Sequence, residues 1–173
     1  MEIEFELFEK DYINFNIDHT NKSPSLKRSL LVQRILGPVI FLIAPFIIIR
    51  FSEIPMWYWI TIFSITSVIW LVFYPKYFNW EMKRKIEKML KEGSNESLFQ
   101  KRKIIITDTE MVQKSPTGEI MTKWNEVNRV DETNEYIYIY NSSISAYIIP
   151  KRAFEDENAI KVFLAEILKN HKL

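Results

Sequence analysis

The chain has 173 residues, 47% apolar and 26% charged, with 23 basic and 22 acidic side chains for a formal charge of +1. That length fits one domain or two small ones, and the neutral balance excludes a strongly basic nucleic-acid binder. The absence of Cys rules out a disulfide framework, thiol catalysis and thiolate metal sites, and three Gly leave no material for a phosphate-cradling loop. The near-neutral total hides a segregation: residues 1–29 sum to −2, 30–75 to +1, 76–103 to +5 and 104–173 to −3.

At the start, Ile3, Phe5 and Leu7 alternate with Glu2, Glu4 and Glu6. This is the pattern of a half-buried strand, which is not stable alone and needs a partner from elsewhere in the chain. Tyr12, Phe15 and His19 continue on a short polar helix, so residues 1–22 read as a strand and helix that join the C-terminal sheet.

Two apolar runs follow. Eleven of the fifteen residues from Ile35 to Ile49 are Ile, Leu, Val or Phe, and the stretch from Leu30 measures about 30 Å as a helix, the thickness of a hydrocarbon core. At roughly −0.3 to −0.6 kcal/mol each, those side chains favour insertion by about 3–6 kcal/mol. A central Arg would oppose this by about 3 kcal/mol, but Arg34 lies near the end and can snorkel. The second run is uncharged from Ile54 to Tyr74. The predicted spans are 30–49 and 56–74, joined by an external loop over 50–55. Gly37-Pro38 and Pro45 are expected to bend the first. A soluble core would have to hide two all-round apolar helices beneath about 130 other residues, many of them charged. A cleavable signal is disfavoured because about thirty polar residues precede the first run and a second span follows it.

Lys22, Lys27, Arg28 and Arg34 flank the first span, and Lys76, Lys83, Arg84, Lys85 and Lys88 flank the second, whereas the loop holds one Arg and one Glu. The expectation is a multi-pass cell-membrane protein with both termini cytoplasmic. Trp57, Tyr58 and Trp59 would form the outer aromatic belt and Tyr74, Tyr77 and Trp80 the inner one. Beyond Pro75, Phe78, Met82, Ile86 and Met89 recur at helical spacing among bases, which predicts a basic amphipathic stalk helix over 76–93, stopped by Gly93. Its bases either satisfy the orientation rule as a solvated face or hold anionic headgroups, at roughly 1 kcal/mol per base. Residues 94–100 read as a polar linker, followed by the cluster Lys101-Arg102-Lys103.

Residues 101–173 read as a small sheet domain. Short strands are expected at Ile104–Thr107, Glu110–Ser115, Glu119–Trp124, Asn128–Thr133, Tyr136–Asn141 and Ile144–Ile149, with a strong turn at Ser115-Pro116-Thr117-Gly118. Their spacing suggests a meander forming a curved antiparallel sheet or partial barrel. A closing helix over 156–170 carries Ile160, Phe163, Leu164, Ile167 and Leu168 on one face, with acids at its start and Lys169 and Lys172 at its end. The fold class is therefore membrane α+β: a two-helix transmembrane hairpin inserted into a small antiparallel sheet or partial barrel capped by a C-terminal helix.

This order resembles the YcxB-like family of small bacterial membrane proteins. The likeness rests on the N-terminal strand with Asp11-Tyr12, Phe15 and His19, and on the paired spans. It also rests on Ile106-Thr107-Asp108, on Lys123-Trp124 with Val127, and on the stretch from Ala146 to Phe154 that holds Tyr147, Pro150, Lys151 and Arg152. The resemblance implies a C-terminal pleckstrin-homology-like domain of seven strands and one helix, and it brings no established catalytic activity.

Candidate chemistry is sparse. His19 and His171 have no partner at metal-ligand spacing, and no nucleophile elbow or His-Glu-x-x-His occurs, so no catalytic residue, metal ligand or cofactor is expected. Trp124 reads as core. The face formed by Tyr136, Tyr138 and Tyr140 either covers the core or marks a protein-contact surface. The candidate lipid-headgroup or partner residues are Lys83, Arg84, Lys85, Lys88, Lys101, Arg102, Lys103, Lys151 and Arg152. Lys151 and Arg152 either face water or join Lys101–Lys103 in a membrane-facing basic rim. The expected function is a non-catalytic binding or scaffold module for a protein partner or anionic headgroups. The alternative is a small accessory subunit of a transporter or export complex. Expected partners are the bilayer and a protein partner or second copy, without nucleic acid.

Overall fold

The computed structural model describes residues 1–92 and 96–171. Gly93 as a helix stop, the first residues of the 94–100 linker and Lys172 as a helix-end charge lie outside the described residues. The chain divides into two compact units, Met1–Phe15 with Glu87–Leu173, and Asn16–Ile86.

The first unit holds two antiparallel sheets rather than one. Strands β1 (Glu2–Glu6), β2 (Lys101–Ile106), β3 (Glu110–Ser115) and β4 (Gly118–Lys123) lie in that order, and β5 (Arg129–Glu132), β6 (Tyr136–Tyr140) and β7 (Ala146–Pro150) make the second sheet. The division falls at a 3-10 turn, Trp124–Glu126, where the Glu126 carboxylate accepts the Lys123 backbone N–H at 3.2 Å. The buried Trp124 indole donates to the Thr107 carbonyl at 2.9 Å, pinning the turn to the core. The chain is thereby redirected, and β5 pairs with β6 instead of β4.

Strand β1 pairs with β2 in the register Ile3↔Ile104, Glu4↔Lys103, Phe5↔Arg102 and Glu6↔Lys101. Strand β2 begins at Lys101, three residues before the expected Ile104, because the glutamates of β1 stand opposite its lysines and offset their charge. The β3–β4 hairpin turns at Gly118, whose φ of +151° is open to glycine, and the Ser115 hydroxyl bonds the Gly118 carbonyl at 3.0 Å.

Strand β6 is central in its sheet and buried along its whole length, which removes the contact-surface reading of its tyrosines. Phe15 lies 5.3 Å from Tyr138 and 6.0 Å from Tyr140, centroid to centroid. The Tyr147 and Thr122 hydroxyls bond at 2.5 Å and tie β7 to β4. The closing helix α4 (Glu157–Asn170) is capped by Asp156, which accepts the Ala159 N–H at 2.7 Å. Phe163 and Ile167 enter the core with Ile160 and Leu164 beside them. Leu168 is 53% exposed, so the apolar stripe is narrower than the sequence suggests. His171 ends α4 buried, its Nδ1 3.2 Å from the Trp124 carbonyl.

The second unit contains most of two long helices, α2 (Pro24–Ile48) and α3 (Met56–Lys91), together with the end of α1 (Glu9–Lys22). Helix α2 starts six residues before the expected span, with Pro24 in its first turn, where a missing N–H costs nothing. Helix α3 is continuous for 36 residues, so the expected span 56–74 and stalk 76–93 are parts of one helix that runs through Pro75. Proline 75 lacks the N–H that would bond the Leu71 carbonyl one turn back. Arg34 Nε donates to that carbonyl at 2.9 Å, and the helix runs on because a neighbour satisfies the freed acceptor.

Helices α2 and α3 pack closely. A Cβ on Gly37 would meet the Trp70 ring at 2.6 Å. Trp70 stacks on Tyr74 at 5.1 Å and meets Phe41 edge-on at 5.9 Å, while the Tyr74 hydroxyl donates to Gln33 at 2.5 Å. Away from this seam the faces are apolar and uncovered, with Val32, Ile40, Phe46, Ile65, Val68 and Phe73 all exposed. Both helices are long and apolar enough to cross a membrane, with 11% and 6% of their most apolar stretches buried.

Candidate functional site

The nine cations singled out from the sequence separate into three settings. Lys83, Arg84, Lys85 and Lys88 are exposed on the last turns of α3. Arg84 lies 5.5 Å over the Trp80 ring, and Lys85 and Lys88 pair with Glu81 and Glu92 at 3.4 and 3.5 Å. Such exposed i,i+4 pairs hold little energy and leave the positive field in place. Tyr77 and Trp80 are exposed one to two turns earlier, which gives an aromatic and basic surface of the kind found at headgroup level.

The second group, Lys101, Arg102 and Lys103, is not one patch. Successive side chains on a strand point to opposite faces. Lys103 pairs with Glu2 and, at 3.7 Å, with Glu4. Arg102 shares the parity of the buried Ile104 and Ile106 and lies opposite Phe5, on the core-facing side. The third group is also engaged within the unit: Lys151 Nζ bonds Glu132 at 2.6 Å, and Arg152 grips Asp11 at 2.6 and 2.8 Å. The basic rim weighed from the sequence is therefore not assembled, because Arg102 and Arg152 turn toward internal partners and Lys103 and Lys151 meet carboxylates.

Asp11, absent from the candidate residues, is the hub of a buried clasp. It stands in the first turn of α1, fully buried, and accepts the Phe8 N–H at 2.7 Å and the Tyr136 hydroxyl at 2.9 Å besides the two Arg152 bonds. Burial pushes its carboxyl upward, but Arg152, the Phe8 N–H and Tyr136 outweigh this and hold it below its ordinary value. Burial, with the Asp11 charge beside it, raises the Tyr136 phenol to about 12 against the opposing bond from Asn14. With every acceptor position used, this carboxylate fastens α1 to β6 and to the segment after β7 and offers no proton-transfer chemistry.

Arg102 leads to a different place. One of its terminal nitrogens donates to the Tyr12 hydroxyl and to the Leu98 carbonyl, both at 3.0 Å, while its buried Nε has no partner among the described residues. Burial pushes the Tyr12 phenol up although Arg102 draws it down, so it remains a hydroxyl. These groups line a cavity of about 190 Å³ with Gln113, Asn141 and Ser145 as further polar walls and Leu7, Ile120, Ala146, Tyr147 and Ile148 as apolar ones. No carboxylate lines it. Gln113 is 92% buried as a residue and lines the same cavity. Arg102 and Gln113 occupy inward positions of β2 and β3, and their parity with Ile104 and Met111 was the sequence signal that could have found them.

A second cavity, about 220 Å³, lies wholly within the helix unit, lined by Asn21, Lys27, Leu30, Arg34, Tyr74 and Phe78 among others. It brings two bases to an apolar and aromatic wall. Among the described residues no group of three His, Asp or Glu is placed to hold a metal ion.

Residues 106–167 match the family model described as YcxB-like protein. The match takes in β3 to β7 and most of α4, while β1, α1, α2 and α3 lie outside it. No curated protein and no solved structure matches the chain.

Proposed function

We propose that this YcxB-like chain is an integral membrane protein in which α2 and α3 span the bilayer and present the sheet unit as a non-catalytic binding module on the cytoplasmic face. The observation that carries this reading is the uncovered apolar surface of both helices around a seam already closed by Gly37, Phe41, Trp70 and Tyr74. In water such faces would drive aggregation, whereas in hydrocarbon they are the native surface. Seven strands in a four-plus-three arrangement followed by α4 support the pleckstrin-homology-like architecture that the family resemblance implies.

Anionic headgroups are the ligand of the membrane-proximal surface in this reading. Lys83, Arg84, Lys85 and Lys88 follow the exposed Tyr77 and Trp80, and Lys27 and Arg34 line the helix-unit cavity. The test has two parts. Washed membranes treated with alkaline carbonate should retain the chain, which only detergent releases; release by carbonate alone would contradict insertion. The detergent-purified full chain should then retain anionic phospholipid by mass spectrometry. Charge reversal by Lys27→Glu, or jointly at Lys83, Arg84, Lys85 and Lys88, should lower that amount about fivefold or more. Unchanged retention in both variants would contradict the headgroup assignment.

A further inference from the structure

We infer that the cavity between the ends of the two sheets is a binding site for a carboxylate carried on a short apolar body, with Arg102 and Gln113 as its anion-holding groups. The inference deepens the binding-module reading by naming what the sheet unit takes. It does not depend on the hairpin or on the headgroup surface.

Three features converge. First, polar side chains sit where the strand pattern calls for apolar ones. Arg102 and Gln113 share the inward face with Ile3, Ile104 and Met111, all buried. A buried polar group without a partner is costly, and the sheet keeps one here, the Arg102 Nε, with the Gln113 side chain on the same face beside it. Second, these polar groups suit an anion. Arg102 Nε lacks an acceptor, and Arg102 makes no ion pair among the described residues. The Gln113 amide can donate beside it, and Asn141 and Ser145 stand at the exposed side of the same cavity. No carboxylate lines this cavity, and a planar guanidinium favours a planar carboxylate. Third, half of the wall is hydrocarbon: Leu7, Ile120, Ala146 and Ile148. A naked inorganic anion would leave that wall wet, whereas a carboxylate with a branched aliphatic body covers it.

Size limits the ligand further. A volume of about 190 Å³ falls below the range of sites that enclose whole cofactors. It accommodates a small aliphatic acid or the last residue of a peptide ending in an aliphatic side chain. The same chemistry serves both sources, and the experiment separates them.

Calorimetric titration of the full chain in nonionic detergent uses four probes: 4-methylpentanoate, 4-methylpentanamide, N-acetyl-Ala-Leu with a free carboxylate, and the same peptide amidated. At least one acid should bind, and its uncharged counterpart about tenfold or more weakly. The amides also control for partition into the micelle. Preference for 4-methylpentanoate identifies a free acid as the source, and preference for the peptide acid identifies a chain terminus. Arg102→Gln should abolish binding. Because Arg102 also ties Tyr12 and Leu98, Gln113→Leu provides an independent variant. It places hydrocarbon at a largely buried position of β3, so it should melt no lower than the parent, yet it should lose about tenfold in acid binding. The proposal is overturned if neither acid binds at about 10 mM, if acids and amides bind alike, or if Gln113→Leu binds both acids as the parent does. Any of these results would leave the membrane reading standing.

Discussion

Asp11 and Arg152 lie 141 positions apart in sequence and meet through two hydrogen bonds, with Tyr136 closing the third side. Removing one partner of a buried pair leaves the other unsatisfied, which costs several kcal/mol when water is excluded. Arg152 is 42% exposed and can regain some hydration, so Asp11→Ala should cost about 2–3 kcal/mol. Lys151→Ala, which breaks a surface pair, should cost under about 1 kcal/mol. Denaturant unfolding of the detergent-solubilised chain reads both.

The pH dependence follows from the same clasp. The Asp11 carboxyl is held below its ordinary 3.8, so its stabilisation is complete above that value and is lost as pH falls through the folded-state value. Asp11→Asn should flatten that acid limb. The Tyr136 phenol moves oppositely, from 10.0 to about 12. Its contribution is present below pH 10 and disappears toward pH 12, and the phenolate absorbance of Tyr136 should emerge only at the top of that window. Both residues were in view in the sequence, but charge and spacing could not pair them. A contact across 141 positions leaves no local periodicity.

At the scale of elements, most helices and strands were legible because burial imprints its period on the chain. The 3.6-residue stripe of α4 and the alternation of β1 are direct records of one buried face. Two misreadings have physical causes. The span and the stalk were given separate bounds on either side of Pro75, because proline removes a backbone donor and the compensating donor, Arg34, lies on another helix. Arg102 looked like surface charge because three bases in a row obscure the alternation that places the middle one inward. The first point gives a double-mutant cycle. Arg34→Leu should destabilise the chain by about 1–2 kcal/mol by leaving the Leu71 carbonyl unpaired. In a Pro75→Ala background the cost should largely vanish, since the restored N–H takes that carbonyl. Equal costs in both backgrounds would show that the Arg34 bond does not compensate the proline. Gly37→Leu, which drives a side chain into Trp70, should lower stability by about 1–3 kcal/mol through overpacking.

At the scale of the molecule, one insertion organises the chain. Strand β1 and the sheet that receives it are separated by roughly ninety residues, most of them in α1, α2 and α3. In the proposed membrane reading, a hairpin of two spans returns the chain to the side on which it entered, so β1 can reach β2, whereas a single span would leave the two on opposite sides of the bilayer. The sheet division was not legible, because the Trp124–Glu126 turn carries no glycine or proline and its place depends on the indole finding the Thr107 carbonyl. Among the described residues the hairpin connection runs from Ile49 to Pro55, between α2 and α3, and Phe51 and Glu53 are exposed there. The native chain has no Cys, so a single introduced thiol reports its own position without background. Glu53→Cys and Ser143→Cys, the latter in the β6–β7 connection, can each be exposed to a membrane-impermeant maleimide on intact cells and again after lysis. The account predicts that position 53 is labelled on intact cells and position 143 only after lysis. Labelling of position 143 on intact cells, or recovery of both variants in the soluble fraction without detergent, would contradict it.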